Sequence, residues 1–191
     1  MEVIVRDINR EDVSSTKLFA DKWIGKDYFS GPELLDLLEQ GKQSNLNASM
    51  VAVTLCPKTS QSTIVGIRIT LAPNNWIERF KGVLTPNLWN LDSDKVAYFK
   101  SLFIAQDYQG KGLGKKLSNE SIDRLRQMGA TGILTHCWLE SPNNSSFRYL
   151  DKMGFKEVKI HKKFWYDVDY ECIKCGVGRC VCSAIEMIKI L

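Results

Sequence analysis

Three glycines at alternate positions, Gly110, Gly112 and Gly114, separate a run rich in β-branched and aromatic residues, Val96–Ile104, from an amphipathic stretch, Gly112–Met128. The pattern predicts a strand that turns sharply into a helix. Glycine leaves no Cβ between backbone and ligand, and a helix start leaves its first amide N–H groups without intrahelical partners. Those donors and the positive end of the helix dipole attract phosphate oxygens, and Lys111, Lys115 and Lys116 add charge of the same sign.

The rest of the chain arranges itself around that unit. Val3-Ile4-Val5 reads as a first strand, and Asn9-Arg10-Glu11-Asp12 offers cap chemistry for a helix reaching about Trp23. Gly31-Pro32-Glu33 opens a second helix, in which Leu34, Leu35, Leu37 and Leu38 form an apolar stripe ending near Gly41. Met50–Cys56 and Thr63–Leu71, split by Pro57-Lys58-Thr59-Ser60, read as a hairpin. Residues 73–95 are broken by prolines and asparagines yet carry Trp76, Ile77, Phe80, Leu88 and Trp89; they are expected to form a partly helical excursion covering one edge. Ile133–Leu139 is a further strand, Asn144–Lys152 a helix stopped by Gly154, and Phe155–Tyr170 and Ala184–Leu191 are two closing strands. A chain of 191 residues suffices for one core and is short for two, so a single domain over 1–191 is expected.

Two familiar phosphate motifs fail here. A Walker loop needs glycine where Gln109 stands and a hydroxyl where Lys116 stands, and a dinucleotide fingerprint needs Gly-x-Gly-x-x-Gly, whereas the spacing here is Gly-x-Gly-x-Gly. The segment from Gln109 through Gly114 instead resembles the Gln/Arg-x-x-Gly-x-Gly/Ala signature of the GNAT superfamily of N-acetyltransferases. Downstream, Asn143 followed by a helix and the run Leu150-Asp151-Lys152-Met153-Gly154-Phe155 resemble the family's aromatic-x-Lys-x-Gly-Phe ending. The element order matches over nearly the whole chain.

The resemblance implies the acyl-CoA N-acyltransferase fold: an α/β (α+β) architecture with a central mixed, mostly antiparallel sheet, helices on both faces, and a splay between the fourth and fifth strands. It also implies acetyl-CoA as co-substrate, with its arm paired to Leu102, Phe103 and Ile104. Gln109, Gly110, Lys111, Gly112, Leu113, Gly114 and Lys115 would hold the pyrophosphate, and Asn143 would touch the arm. The acetyl group would pass directly to a primary amine of a small molecule or protein. Relatives carry a catalytic glutamate at the positions of Tyr98 or Trp138, and neither glutamate is present. Tyr98 and His136 are therefore candidates for proton transfer, His136 because it shares a face with Trp138 and titrates near neutrality. A buried histidine satisfied by a backbone carbonyl is an equal reading, and Glu140 is a third option. Tyr149, adjacent to the position of the family's thiolate-protonating tyrosine, is the candidate acid. The missing glutamates leave open an alternative, a degenerate acetyl-CoA-binding sensor or interaction module.

Of six cysteines, four crowd into Cys172-x2-Cys175-x4-Cys180-x-Cys182, with Gly176 and Gly178 between. This spacing suits a structural zinc knuckle at a strand turn; reduced thiols or a redox disulfide are the alternatives. The net charge of +4 comes from dispersed bases and acids, which argues against nucleic acid. Met1–Arg6 lacks the pattern of a leader and no apolar run reaches bilayer length, so a cytoplasmic protein away from membranes is expected, its oligomeric state open, a homodimer included.

Overall fold

The computed structural model describes residues 2–55, 62–80 and 83–191. Cys56 and the turn expected at Pro57–Ser60 lie outside the described residues. Strand β1 (Val3–Asp7) leads through a capping box, in which Asn9 and Asp12 bond each other's backbone, into α1 (Val13–Trp23). Asp12 is also gripped by Arg6 at 2.7 and 2.8 Å. Ser30 caps α2 (Gly31–Gln40), accepting from the Glu33 amide at 3.1 Å with Pro32 in the first turn. Leu34, Leu37 and Leu38 of its apolar stripe are buried.

A two-residue-per-strand hairpin, β2 (Lys42–Gln43) and β3 (Leu46–Asn47), follows, and then β4 (Met50–Leu55) and β5 (Ser62–Leu71). Next come β6 (Val96–Ile104), α3 (Leu113–Gln127), β7 (Gly132–Trp138), α4 (Ser145–Lys152), β8 (Lys156–His161) and β9 (Ala184–Ile190). The main sheet has seven strands in the order β1-β4-β5-β6-β7-β9-β8. Only β6 and β7 run parallel; every other neighbouring pair in it is antiparallel. Alternation along β5 sorts the layers. Gly66, Arg68 and Thr70 face α3: a Cβ on Gly66 would come within 3.1 Å of Leu117, and Thr70 bonds Ser121 at 2.9 Å. Ile67, Ile69 and Leu71 point the other way, where α1 and α2 pack.

Two departures from the sequence reading have simple causes. The described residues of 73–95 form only short 3-10 turns, Ile77–Phe80, Pro86–Leu88 and Ser93–Lys95, because prolines and asparagines in the segment prevent helix propagation. They cover the face of central strand β6 and not an edge. Trp76 stacks on Tyr98 at 4.8 Å between ring centroids and donates its indole N–H to the Val96 carbonyl at 2.8 Å. The first closing strand, expected through Tyr170, ends at His161, and Lys163 then takes φ +53°, a turn conformation that no strand accommodates. Residues 162–183 form the cysteine-bearing connection to β9.

Candidate active site

The ladder between β6 and β7 joins Val96–Phe99 to Gly132–Thr135 and stops. Beyond it Lys100–Ile104 of β6 pair only with β5, where a bulge leaves Lys100 without an opposite residue. A wedge thus opens between the two parallel strands, lined on one side by backbone that has no strand partner. Leu102, Phe103 and Ile104 border it. Gln109 folds back so that its Nε2 donates to the Ile104 carbonyl at 2.9 Å, and Lys111 Nζ donates to the Asp107 carbonyl at 2.7 Å. These bonds fix the turn. Gly110 and Gly112 adopt φ +72° and +79°, a conformation glycine takes at no cost, and nothing lies within 4 Å of where their Cβ atoms would be. Gly112 is the N-cap of α3 and no side chain caps that helix, so the amides from Leu113 to Lys115 face outward as donors. Asn143 stands in the turn before α4 at φ +53°, a conformation asparagine tolerates.

At the closed end of the wedge, Tyr98 and His136 meet: the Tyr98 hydroxyl lies 2.9 Å from His136 Nδ1. Tyr98 is 3% and His136 8% exposed. Burial, aided by the charges of His161 and Lys100, pulls the His136 imidazole down to about 3, so the ring is neutral. Burial pushes the Tyr98 hydroxyl well above its ordinary value, and it keeps its proton. Among the described residues no backbone carbonyl satisfies this histidine. Its Nε2 is buried with no hydrogen-bond partner among the described residues. With the ring proton on Nδ1, Nε2 presents a bare lone pair. Phe164 stacks on the ring at 4.1 Å and Phe80 at 5.8 Å, so aromatic faces flank it on two sides.

Tyr149 lies on the opposite, α3-facing side. Its hydroxyl donates to the Gly114 carbonyl at 3.0 Å and lies 2.7 Å from Ser118 Oγ, which can donate to it. Arg68, which the sequence reading did not single out, is 2% exposed, donates to Ser118 at 2.9 and 3.2 Å and lies 4.0 Å from the Phe99 ring centroid. Burial pulls its guanidinium down to about 10, with the neighbouring Tyr149 hydroxyl acting against that. Glu186 and His161 were also missed. Glu186 is 0% exposed in the middle of β9, and nothing in a lone Glu between apolar residues signals a site. Glu140 accepts from the Ser183 amide through both oxygens, at 2.9 and 3.0 Å, and so anchors the cysteine connection.

The four cysteines of that connection converge, with all Sγ atoms within 4.8 Å of one another and Cys175 and Cys182 at 3.6 Å. All are free thiols. Gly176 (φ +71°) and Gly178 (φ +113°) make the turns. Burial pushes the Cys172 thiol up, but donors from the Cys175 and Lys174 amides outweigh it and bring it down to about 7. The tip is joined to the α1–α2 connection: Tyr170 packs edge-on to Tyr28 at 5.5 Å, and a Cβ on Gly25 would strike the Glu171 carbonyl at 2.5 Å.

A mixed sheet splayed between two parallel strands, with a glycine turn at the mouth of the splay, defines the acyl-CoA N-acyltransferase fold. Residues 64–155 match the sequence model of the acetyltransferase (GNAT) family. A segment of 73 residues, 38% of this chain, is 25% identical to the uncharacterized N-acetyltransferase MJ1207 of Methanocaldococcus jannaschii and spans 31% of that protein. Among solved structures, Ard1 from Thermoplasma volcanium matches with a TM-score of 0.66 at 14% identity, covering 100% of this chain and 99% of that one. The NatC complex bound to Gag peptide and CoA matches at 0.71 and 18% identity, with 100% and 99% covered. Arabidopsis thaliana NAA60 in complex with acetyl-CoA gives 0.71 at 16%, with 100% of both chains covered. Among the described residues no helix is long and apolar enough to cross a membrane.

Proposed function

We propose that this chain transfers the acetyl group of acetyl-CoA directly to a primary amine of a protein or small molecule in the cytoplasm. The observation that carries the reading is the unpartnered Nε2 of neutral His136 at the closed end of the β6–β7 splay. The pantetheine arm adds along Leu102–Ile104, and the pyrophosphate lies on the amides of Gly110–Lys115, with Asn143 against the arm. The amine enters from the α1–α2 face. Its lone pair attacks the thioester carbonyl as one N–H proton passes to His136 Nε2, and Tyr98 positions the ring through Nδ1. A backbone N–H near Phe103 or Ile104 receives the oxyanion. The C–S bond then breaks, and the departing thiolate takes its proton from the Tyr149 hydroxyl on the opposite face or from water. Acid and base act from two sides of the sheet.

NatC and Arabidopsis Naa50 were captured with a peptide and a peptide-like bisubstrate, which puts protein α-amines first among acceptors to try. Thiol release from acetyl-CoA over a panel of peptide N-termini, lysine peptides and small amines is expected to give turnover with at least one class. Cofactor binding with no transfer to any amine would instead make the chain a binding module.

The cysteine tip is proposed to hold structural Zn²⁺. Thiolates at about 2.3 Å from zinc in a tetrahedron stand roughly 3.8 Å apart, close to the observed separation of Cys175 and Cys182. Four thiolates leave no open coordination position, so the ion would pin the connection between β8 and β9. Removing it with a chelator, or Cys175→Ser, is expected to lower the melting temperature and loosen residues 162–183 in hydrogen exchange. Acetyl-CoA affinity should change far less. Zinc-free purified protein with an unchanged melt would refute this.

A further inference from the structure

We propose that His136, His161 and Glu186 form a second metal site, built for a zinc-class transition-metal dication, whose occupation shuts off the amine pocket. Strand register brings the three together. His136 on β7 lies opposite Glu186 on β9, and His161 on β8 lies opposite Ala184, two residues from Glu186 on the same face. One ligand atom from each residue falls within 4.8 Å of the others.

The surroundings orient these atoms as the outer shell of a metal site does. Glu186 Oε1 accepts from the Trp89 indole at 2.6 Å, the Thr85 hydroxyl at 2.9 Å and the Thr85 amide at 3.4 Å. That leaves Oε2 for His161 Nε2, at 2.7 Å. Tyr98 occupies His136 Nδ1, and Nε2 is buried with no hydrogen-bond partner among the described residues. Around zinc at about 2.1 Å, ligand atoms lie roughly 3.4 Å apart. The His161–Glu186 contact therefore opens slightly and His136 closes, adjustments within side-chain reach.

Two imidazoles and one carboxylate select Zn²⁺ and its borderline neighbours over Mg²⁺ or Ca²⁺, and three ligands leave a coordination position for water. The cation also neutralises a carboxylate with no solvent exposure. Lys100 is the opposing influence, since its charge bears on His136. The binding claim stands on this cluster alone. The inhibition claim rests on the proposed role of His136, whose only free lone pair the metal would take.

The test uses the full chain, given one equivalent of Zn²⁺ to fill the thiolate tip and then titrated with Co²⁺ alone. Wild type is expected to bind a further ion with weak visible d–d absorption and no new thiolate charge-transfer band. His161→Ala and Glu186→Gln should weaken that step at least tenfold. Near-ultraviolet circular dichroism identifies any variant that has lost its fold, and His161→Ala, at a partly open edge of the cluster, is the milder change. In acetyl-transfer assays the metal should compete with the amine and not with acetyl-CoA. Absence of a second bound ion in wild type, or equal affinity in a folded His161→Ala, overturns the site. Binding without loss of transfer overturns the inhibition. A chain that transfers to no amine fails the enzymatic reading, while the titration still decides the site.

Discussion

Gly112→Val is expected to lower affinity for acetyl-CoA at least a hundredfold while the protein remains folded. Gly112 holds φ +79° as the N-cap of α3. A β-branched residue forced into that region costs about 1–3 kcal/mol of stability with or without ligand; a hundredfold loss of affinity is a further ~2.8 kcal/mol, which comes from blocked phosphate contacts. Nothing lies within 4 Å of the added Cβ, so the unliganded chain suffers backbone strain and no clash. In the complex the isopropyl group occupies the space where phosphate oxygens would meet the α3 amides. The variant should therefore lose far more binding than melting temperature. Gly114→Ala is the control: its Cβ would make an ordinary contact with Leu102 at 3.4 Å and φ is not positive, so affinity should stay within a few fold. Calorimetry with CoA and acetyl-CoA reads both. If Gly112→Val binds as wild type does, the α3 amides are not the pyrophosphate cradle.

The cofactor half of this site was legible in the sequence because its chemistry is local. A glycine conformation, an uncapped helix start and a preceding strand all lie within Val96–Lys115, where spacing determines geometry. The reacting half depends on register across strands far apart in the chain. Tyr98 and His136 could be suspected from alternation, but their contact needs β6 and β7 to run parallel and in step. Glu186 and His161 join them only because β9 inserts between β7 and β8, a crossover that no local pattern announces. Arg68 was invisible for a related reason: an arginine inside Thr63–Leu71 reads as the polar side of a strand. Its burial comes from Ser118 on α3 and the Phe99 ring, 50 and 31 residues further along the chain. In the excursion at 73–95, Trp76 and Trp89 are 1% and 2% exposed and serve as packing beneath Tyr98, while Phe80 reaches the histidine, as Phe164 does from the connection to β9.

His136→Gln is expected to reduce kcat about 10²-fold, the low end for a positioned general base because burial holds the imidazole well below neutrality, with acetyl-CoA affinity unchanged. Glutamine fills similar volume and can still bond Tyr98, but it offers no basic nitrogen. Because the imidazole is neutral, wild type requires no deprotonation of His136 before attack, and the loss should persist at raised pH. Tyr98→Phe separates positioning from proton transfer. It removes the 2.9 Å bond to Nδ1 while keeping the ring that stacks on Trp76, so kcat should fall about tenfold, KM for the amine should move little, and stability should fall by about 1 kcal/mol. A double variant should then be no slower than His136→Gln alone, since Tyr98 acts through the histidine. Strictly multiplicative losses would show that Tyr98 touches the reacting atoms itself. Wild-type turnover in His136→Gln would remove the imidazole from the reaction altogether and move the base to a water chain.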